Sequence, residues 1–152
     1  MRRKDKEIKD RKEIESIIKR ATVCRIGLSE NNLPYIVPMN YGYVNNRLYL
    51  HAATQGKKID IIRRNNRVCF ELDIDHELVK SATPCQWTMK YRSVIGFGQA
   101  FFVDDPAEKK EALNIISQQY SGDSCEFPDN KMKKVAIIRV EIESMTGKKS
   151  GY

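Results

Sequence analysis

Apolar residues recur along this chain in two rhythms, every second position in some stretches and every third or fourth in others. Between residues 10 and 20, Ile14, Ile17 and Ile18 share one face of a short helix, and Asp10 with Glu13 has the spacing of a capping box. Residues 22–28 read as a strand that ends in a polar turn at 29–32. Two extended runs then flank Asn45-Asn46, the first over 35–43 and the second opening at Leu48. Asparagine tolerates positive φ, so the pattern predicts a hairpin. Pro34 and Pro38 donate no ladder hydrogen bonds, which makes the first hairpin strand irregular or an edge. Helical spacing returns at 57–65. Strands follow at 67–75 and 91–103, separated by a long polar loop over 75–87, and Gly96 with Gly98 predicts a bulge or bend. Pro106 opens a helix in which Ala112, Leu113, Ile116 and Tyr120 recur at helical spacing. Residues 121–134 read as loop, 135–145 as the last strand, and the remainder as a polar tail. In that last strand both Ile137 and Ile138 are apolar, so it should be covered on both faces. The sum is one domain over residues 1–152, mainly β with flanking helices: six antiparallel strands in a small barrel, with residues 1–20 as an N-terminal arm and helix.

Composition narrows the function classes. At 152 residues, 41% hydrophobic and 31% charged, the chain is an ordinary globular domain. No apolar run approaches the roughly 20 residues of a membrane span, and the charged start has no signal-peptide core. A cytoplasmic protein without a membrane partner is expected. The net charge of +7 suits a phosphate-bearing partner. The Arg63, Arg64 and Arg67 cluster lacks interleaved aromatics, so it reads as a solvated face and no nucleic acid partner is expected. Cys24 and Cys69 lie in apolar runs, Cys85 and Cys125 in polar ones. Without a C-x-x-C spacing they predict neither a metal site nor a disulfide frame. His76 reads as solvated.

One stretch carries sharper chemistry. The second hairpin strand passes through small residues into Gly56-Lys57-Lys58 at the start of a helix. A helix N-terminus is already partly positive, so adjacent lysines there make sense if an anion lies between them. Gly56 lets backbone come close, and the free N–H groups complete a phosphate cradle. Two solvated lysines opening a helix is the plainer alternative.

The run from Val37 to Lys58, followed by Tyr91-Arg92-Ser93-Val94 and the glycines after it, resembles flavin-binding split-barrel proteins related to pyridoxamine 5′-phosphate oxidase. The nitroimidazole-resistance branch is similar around residues 38–43, His51-Ala52 and residues 56–60. The resemblance implies a six-stranded antiparallel split barrel that binds FMN in a homodimer interface. Gly56-Lys57-Lys58 stands where the oxidase grips the flavin phosphate with Ser-Arg-Lys. Val37, Pro38, Met39, Asn40 and Tyr41 would lie along the flavin ring, with His51, Ala52 and Ala53 beside them. Tyr91 would reach the cofactor rim. Arg92, Ser93 and Val94 match an Arg-Gln-Val run contributed across the dimer interface, with serine replacing the glutamine. His51 is the implied catalytic residue, a proton donor, and Trp87 would cover the pocket. Residues 141–149 bear no likeness to the oxidase segment that holds pyridoxal phosphate.

The implied function is an FMN-dependent oxidoreductase acting on small aromatic acceptors such as nitro compounds, supplied by a nicotinamide or protein reductant. The alternatives are a flavin carrier without turnover, a pyridoxamine phosphate oxidase-like enzyme, and a haem-binding split barrel with His51 or His76 as axial ligand.

Overall fold

The positions where the backbone must turn set the architecture. The computed structural model describes residues 2–123 and 127–152. Asn31 and Asn32 take φ of 50° and 64°, and Asn45 and Asn46 take 48° and 63°. Asparagine reaches this region at low cost. The first pair joins β2 (Cys24–Glu30) to β3 (Leu33–Met39), and the second joins β4 (Tyr41–Val44) to β5 (Arg47–Ala53). Both connections are antiparallel hairpins.

The strand expected over 35–43 is therefore two strands. β3 pairs only with β2, β4 pairs only with β5, and the chain passes between them at Asn40. The sheet runs β3-β2-β6-β7-β8-β5-β4, where β6 is Arg67–Val79, β7 is Thr88–Val103 and β8 is Val135–Ser150. Its two edges are consecutive in sequence. The barrel is closed by a covalent link at Asn40, and β3 and β4 share no ladder.

An eighth strand, β1 (Glu7–Ile8), pairs with Gly147 and Lys148 of β8, so the N-terminal arm is part of the sheet. The extra strand and the division at Asn40 raise the expected six to eight. The class is as expected: an antiparallel barrel with flanking helices. The polar tail expected after residue 145 is strand instead, because β8 pairs with β7 out to Ser150. Much of the loop expected at 75–87 is strand too. β6 continues to Val79 past a bulge at Asp75, whose φ is 59°, and β7 begins at Thr88. The bulge expected near Gly96 and Gly98 is present as a register shift between Phe97 and Gly98.

Helix α1 (Arg11–Arg20) is capped by Asp10, whose carboxylate accepts from the Lys12 N–H at 2.9 Å. It seals one end of the barrel with Ile14, Ile17 and Ile18. Helix α2 (Lys57–Arg64) buries Ile59, Ile61 and Ile62 in the same core. Helix α3 (Pro106–Ser121), capped by Asp105, lies outside the barrel. A β-carbon on Gly42 would stand 2.6 Å from the Ile115 carbonyl, so α3 reaches β4 only because that residue is glycine. A short helix, α4 (Asp129–Met132), interrupts the segment expected to be loop. Ile138 faces the barrel core and its neighbour Ile137 packs with α3 residues, which explains the unbroken apolar run in β8.

Candidate functional site

The end of β5 leads directly to two adjacent lysines at a helix start, Lys57 exposed and Lys58 half-buried. After Ala53 the backbone bends through residues 54–56, and Gly56 caps α2 with φ 125° and ψ 167°. No side chain caps this helix; the Ile59 and Asp60 N–H groups donate to the Gly56 carbonyl at 2.9 and 3.1 Å, which leaves the Lys57 and Lys58 N–H groups with their hydrogen-bonding capacity. Nothing lies within 4 Å of where a Gly56 β-carbon would be. The Lys57 ammonium sits 4.7 Å from the centroid of the Tyr35 ring, which brings this helix end against β3. Asp60 in the first turn faces Arg63 at 4.0 Å instead of either lysine. Among the described residues, neither Lys57 nor Lys58 has a carboxylate partner. Two ammonium groups, uncapped N–H donors and open space make a donor set that fits a phosphate dianion.

A short distance back along β5, His51 opens on a cavity of about 380 Å³. Asn40, at the join of the two sheet edges, lines it with His51. The outer wall is helical: Ile116 and Tyr120 from α3, with Lys131 and Met132 from α4. Hydrogen bonds pin that wall in place. The Tyr120 hydroxyl donates to the Thr22 carbonyl and accepts from the Tyr41 N–H, both at 3.0 Å. The Gln119 amide donates to the Lys19 carbonyl at 2.9 Å, joining α3 to the end of α1.

The expected ring-side residues divide by strand alternation. Val37 and Met39 turn toward the core, Pro38 and Asn40 are exposed, Ala52 is buried and Ala53 is exposed. The Tyr41 side chain is wholly buried. Its hydroxyl donates at 2.9 Å to the Ala21 carbonyl and touches that of Ile18, and burial pushes its pKa far above the ordinary value. Tyr41 is a core tie between β4 and α1.

The other expected group lies elsewhere. Arg92 donates to the Asp75 carboxylate at 2.7 Å, and its guanidinium carbon is 3.9 Å from the Tyr152 ring centroid. Arg20 takes the other Asp75 oxygen. Burial raises the Asp75 pKa, but the hydrogen bonds from Arg92 and Arg20 outweigh it and hold the carboxyl below its ordinary value. The Tyr91 ring is 5.5 Å from the Lys148 ammonium, Ser93 is half-buried, and Val94 is fully buried in the barrel core. His51 pairs with Ile137 on β8, while Arg92 pairs with Lys149 on the same strand. Twelve steps of strand separate those partners, roughly 35–40 Å at ~3.3 Å per residue. One chain does not bring residues 91–94 to the His51 end.

Residues 10–149 match the family described as pyridoxamine 5′-phosphate oxidase. The chain belongs to the pyridoxamine 5′-phosphate oxidase family. It is 38% identical to a candidate 5-nitroimidazole antibiotic resistance protein from Bacteroides thetaiotaomicron, with a TM-score of 0.85 over 93% of this chain and 85% of that one. A FAD binding protein from Mycobacterium smegmatis is 25% identical, with a TM-score of 0.67 over 93% and 97% of the two chains. An uncharacterized protein of Rhizobium meliloti is 31% identical over 65 residues, 43% of this chain. The chain thus spans about two-fifths of the length of that curated relative, 42%.

The remaining expected features of this pyridoxamine 5′-phosphate oxidase family member lie outside the lining of that cavity. Trp87 lies on its own loop, donating to the Ser81 carbonyl at 3.0 Å beneath Lys80, and does not line the cavity. His76 is exposed and pairs with Asp73 at 2.5 Å. Two arginines of the basic cluster reach across to other elements, Arg64 to Glu30 and Arg67 to Glu143, while Arg63 stays with Asp60 on its own helix. Burial raises the Cys24 thiol pKa far above its ordinary value, Cys85 is exposed, and Cys125 falls outside the described residues. No described helix is long and apolar enough to cross a membrane. The cavity wall of Tyr120, Lys131 and Met132 escaped the sequence reading. The helical spacing of Ile116 and Tyr120 was visible, but it reads equally as core packing.

Proposed function

We propose that this protein is a flavin-dependent oxidoreductase that binds FMN, with the phosphate at Lys57 and Lys58 and the ring lying toward Asn40 and His51. The observation that carries the reading is the pair of lysines without carboxylate partners at an uncapped helix start, one bend of chain from a histidine that opens on a cavity. Bound flavin would supply the electron transfer. The chain supplies the rest. Lys57, Lys58 and the first N–H groups of α2 hold the phosphate by charge-assisted hydrogen bonds. The His51 imidazole, which has no hydrogen-bond partner among the described residues, is free to deliver a proton to an acceptor in the cavity. The α3 wall excludes water from one side of it.

The acceptor we propose is a small aromatic molecule, a nitro compound among them, in keeping with the likeness to the candidate 5-nitroimidazole antibiotic resistance protein of Bacteroides. The reductant is a nicotinamide or a protein. We further propose a homodimer with the flavin in its interface. Support comes from the strand distance between the His51 end and Arg92, which a second, oppositely directed copy would close. Ile36 and Phe97 add to it, standing 67% and 54% exposed on one outer sheet face.

The test is an absorption spectrum of the purified protein followed by stopped-flow oxidation of the photoreduced protein. A flavin band is expected, with faster oxidation by a nitroaromatic than by pyridoxamine phosphate. His51→Ala should keep the flavin and slow acceptor reduction by about 100-fold, the low end for a lost general acid. A Soret band without flavin would replace the reading with haem binding. Flavin that passes no electrons would leave a carrier. Light scattering should give a dimer, and a monomer holding FMN stoichiometrically would overturn the interface site.

A further inference from the structure

The cavity beside His51 has a chemistry of its own, apart from the cradle at α2. Its size, about 380 Å³, falls in the range of small-ligand sites. Ile116 and Met132 make its wall apolar. Tyr120 adds an aromatic surface whose orientation is fixed, because its hydroxyl donates to one backbone group and accepts from another. That hydroxyl is fully engaged, so the ring offers packing and no proton. The polar groups are few: Asn40, His51, Ser117 and Lys131. Among the described residues no carboxylate lines the cavity, and the Lys131 ammonium has no carboxylate within ion-pair distance. An apolar cavity with an aromatic wall and, among the described residues, one unpaired lysine selects a small ring that carries one anion.

We propose that this cavity binds a small aromatic carboxylate, its ring against Tyr120 and Ile116 and its anion facing Lys131. The proposal narrows the acceptor class named above and rests on that reading for its catalytic meaning, though not for binding itself. It predicts charge selectivity within one ring size. A neutral analogue keeps the ring contacts and loses the ion pair. A cationic analogue meets repulsion from Lys131.

The experiment is isothermal titration calorimetry of the purified protein as isolated, with 4-nitrobenzoate, 4-nitrobenzyl alcohol and 4-nitrobenzylamine as probes. The benzoate should bind tightest and the amine weakest. Lys131→Gln, at an exposed position, should weaken the benzoate about tenfold and leave the alcohol unchanged. Met132→Trp, which fills the cavity, should weaken all three. Equal affinities for the three probes would overturn the proposal. So would a Lys131→Gln variant that binds benzoate like wild type, or a folded Met132→Trp variant with unchanged binding. Measuring flavin content on the same sample separates the two claims: benzoate binding by a protein that carries no flavin as isolated and takes up none when FMN is added sustains the cavity and sinks the cofactor reading, whereas a flavin-loaded protein that does not bind benzoate sinks the cavity alone.

Discussion

The two ends of the long β7–β8 ribbon use the same residue types in opposite ways. At one end Arg92, Arg20, Asp75 and Tyr152 form a closed network, and Lys149 reaches Glu13 at 2.9 Å. At the other end Lys57, Lys58 and Lys131 stand without carboxylate partners among the described residues. A cation already matched to an acid holds the fold together. A cation left unmatched, beside uncapped N–H groups or an apolar cavity, keeps its charge for something outside the chain. Net charge alone cannot separate the two. The +7 of the sequence becomes informative only when the paired arginines are set aside.

Breaking the open end should have the largest effect, on ligand binding and not on folding. Replacing Lys57 and Lys58 together with alanine should weaken FMN by about 3–5 kcal/mol, since each charge-assisted bond contributes about 1.5–3 kcal/mol. Riboflavin affinity and the thermal midpoint should stay nearly constant. Equal losses for FMN and riboflavin would mean that the lysines serve the fold.

Breaking the closed end should do the reverse. Asp75→Asn removes the shared acceptor of two arginines and should cost about 1–2 kcal/mol of stability, taking each half-exposed pair near the top of its usual range. The pH dependence has a definite sign. Asp75 titrates below its ordinary value in the folded state, so its contribution is complete above the usual carboxylate range. It is lost as pH falls through the lowered pKa. Denaturant midpoints measured from neutral to acid pH should converge for wild type and Asp75→Asn at the acid end. A gap that persists there would point to packing and not charge. The smallest effect belongs to Lys149→Met, about 0.5 kcal/mol by the same titration, because its pair with Glu13 is about a third exposed on each side.

How far these contrasts could be read from the sequence depended on the range of the interaction involved. The asparagine turns, the Asp10 cap and the glycine at α2 are local, and residue type fixes them. The resemblance to flavin-binding split barrels carried the fold class further than periodicity did. The division at Asn40 was not legible, because residues 35–43 keep good strand formers on both sides of it and only pairing partners far along the chain reveal the break. The polar strand at 146–150 was missed for a similar reason: its order comes from β7, not from its own residues. The α3 part of the cavity wall was seen as helix but not as wall, since Ile116 and Tyr120 look the same against a core and against a ligand, and the part holding Lys131 and Met132 was read as loop.

The join at Asn40 has a dynamic meaning as well. Because the two sheet edges share a peptide link and no ladder, the seam between them can part without breaking any strand pairing. The residue at that seam also lines the cavity, and the next amide, that of Tyr41, is held by the Tyr120 hydroxyl on the opposite wall. Hydrogen exchange at this single amide therefore clocks the breathing of the cavity mouth. Its opening free energy should fall below that of the β7–β8 amides and rise when an occupant bridges the two walls.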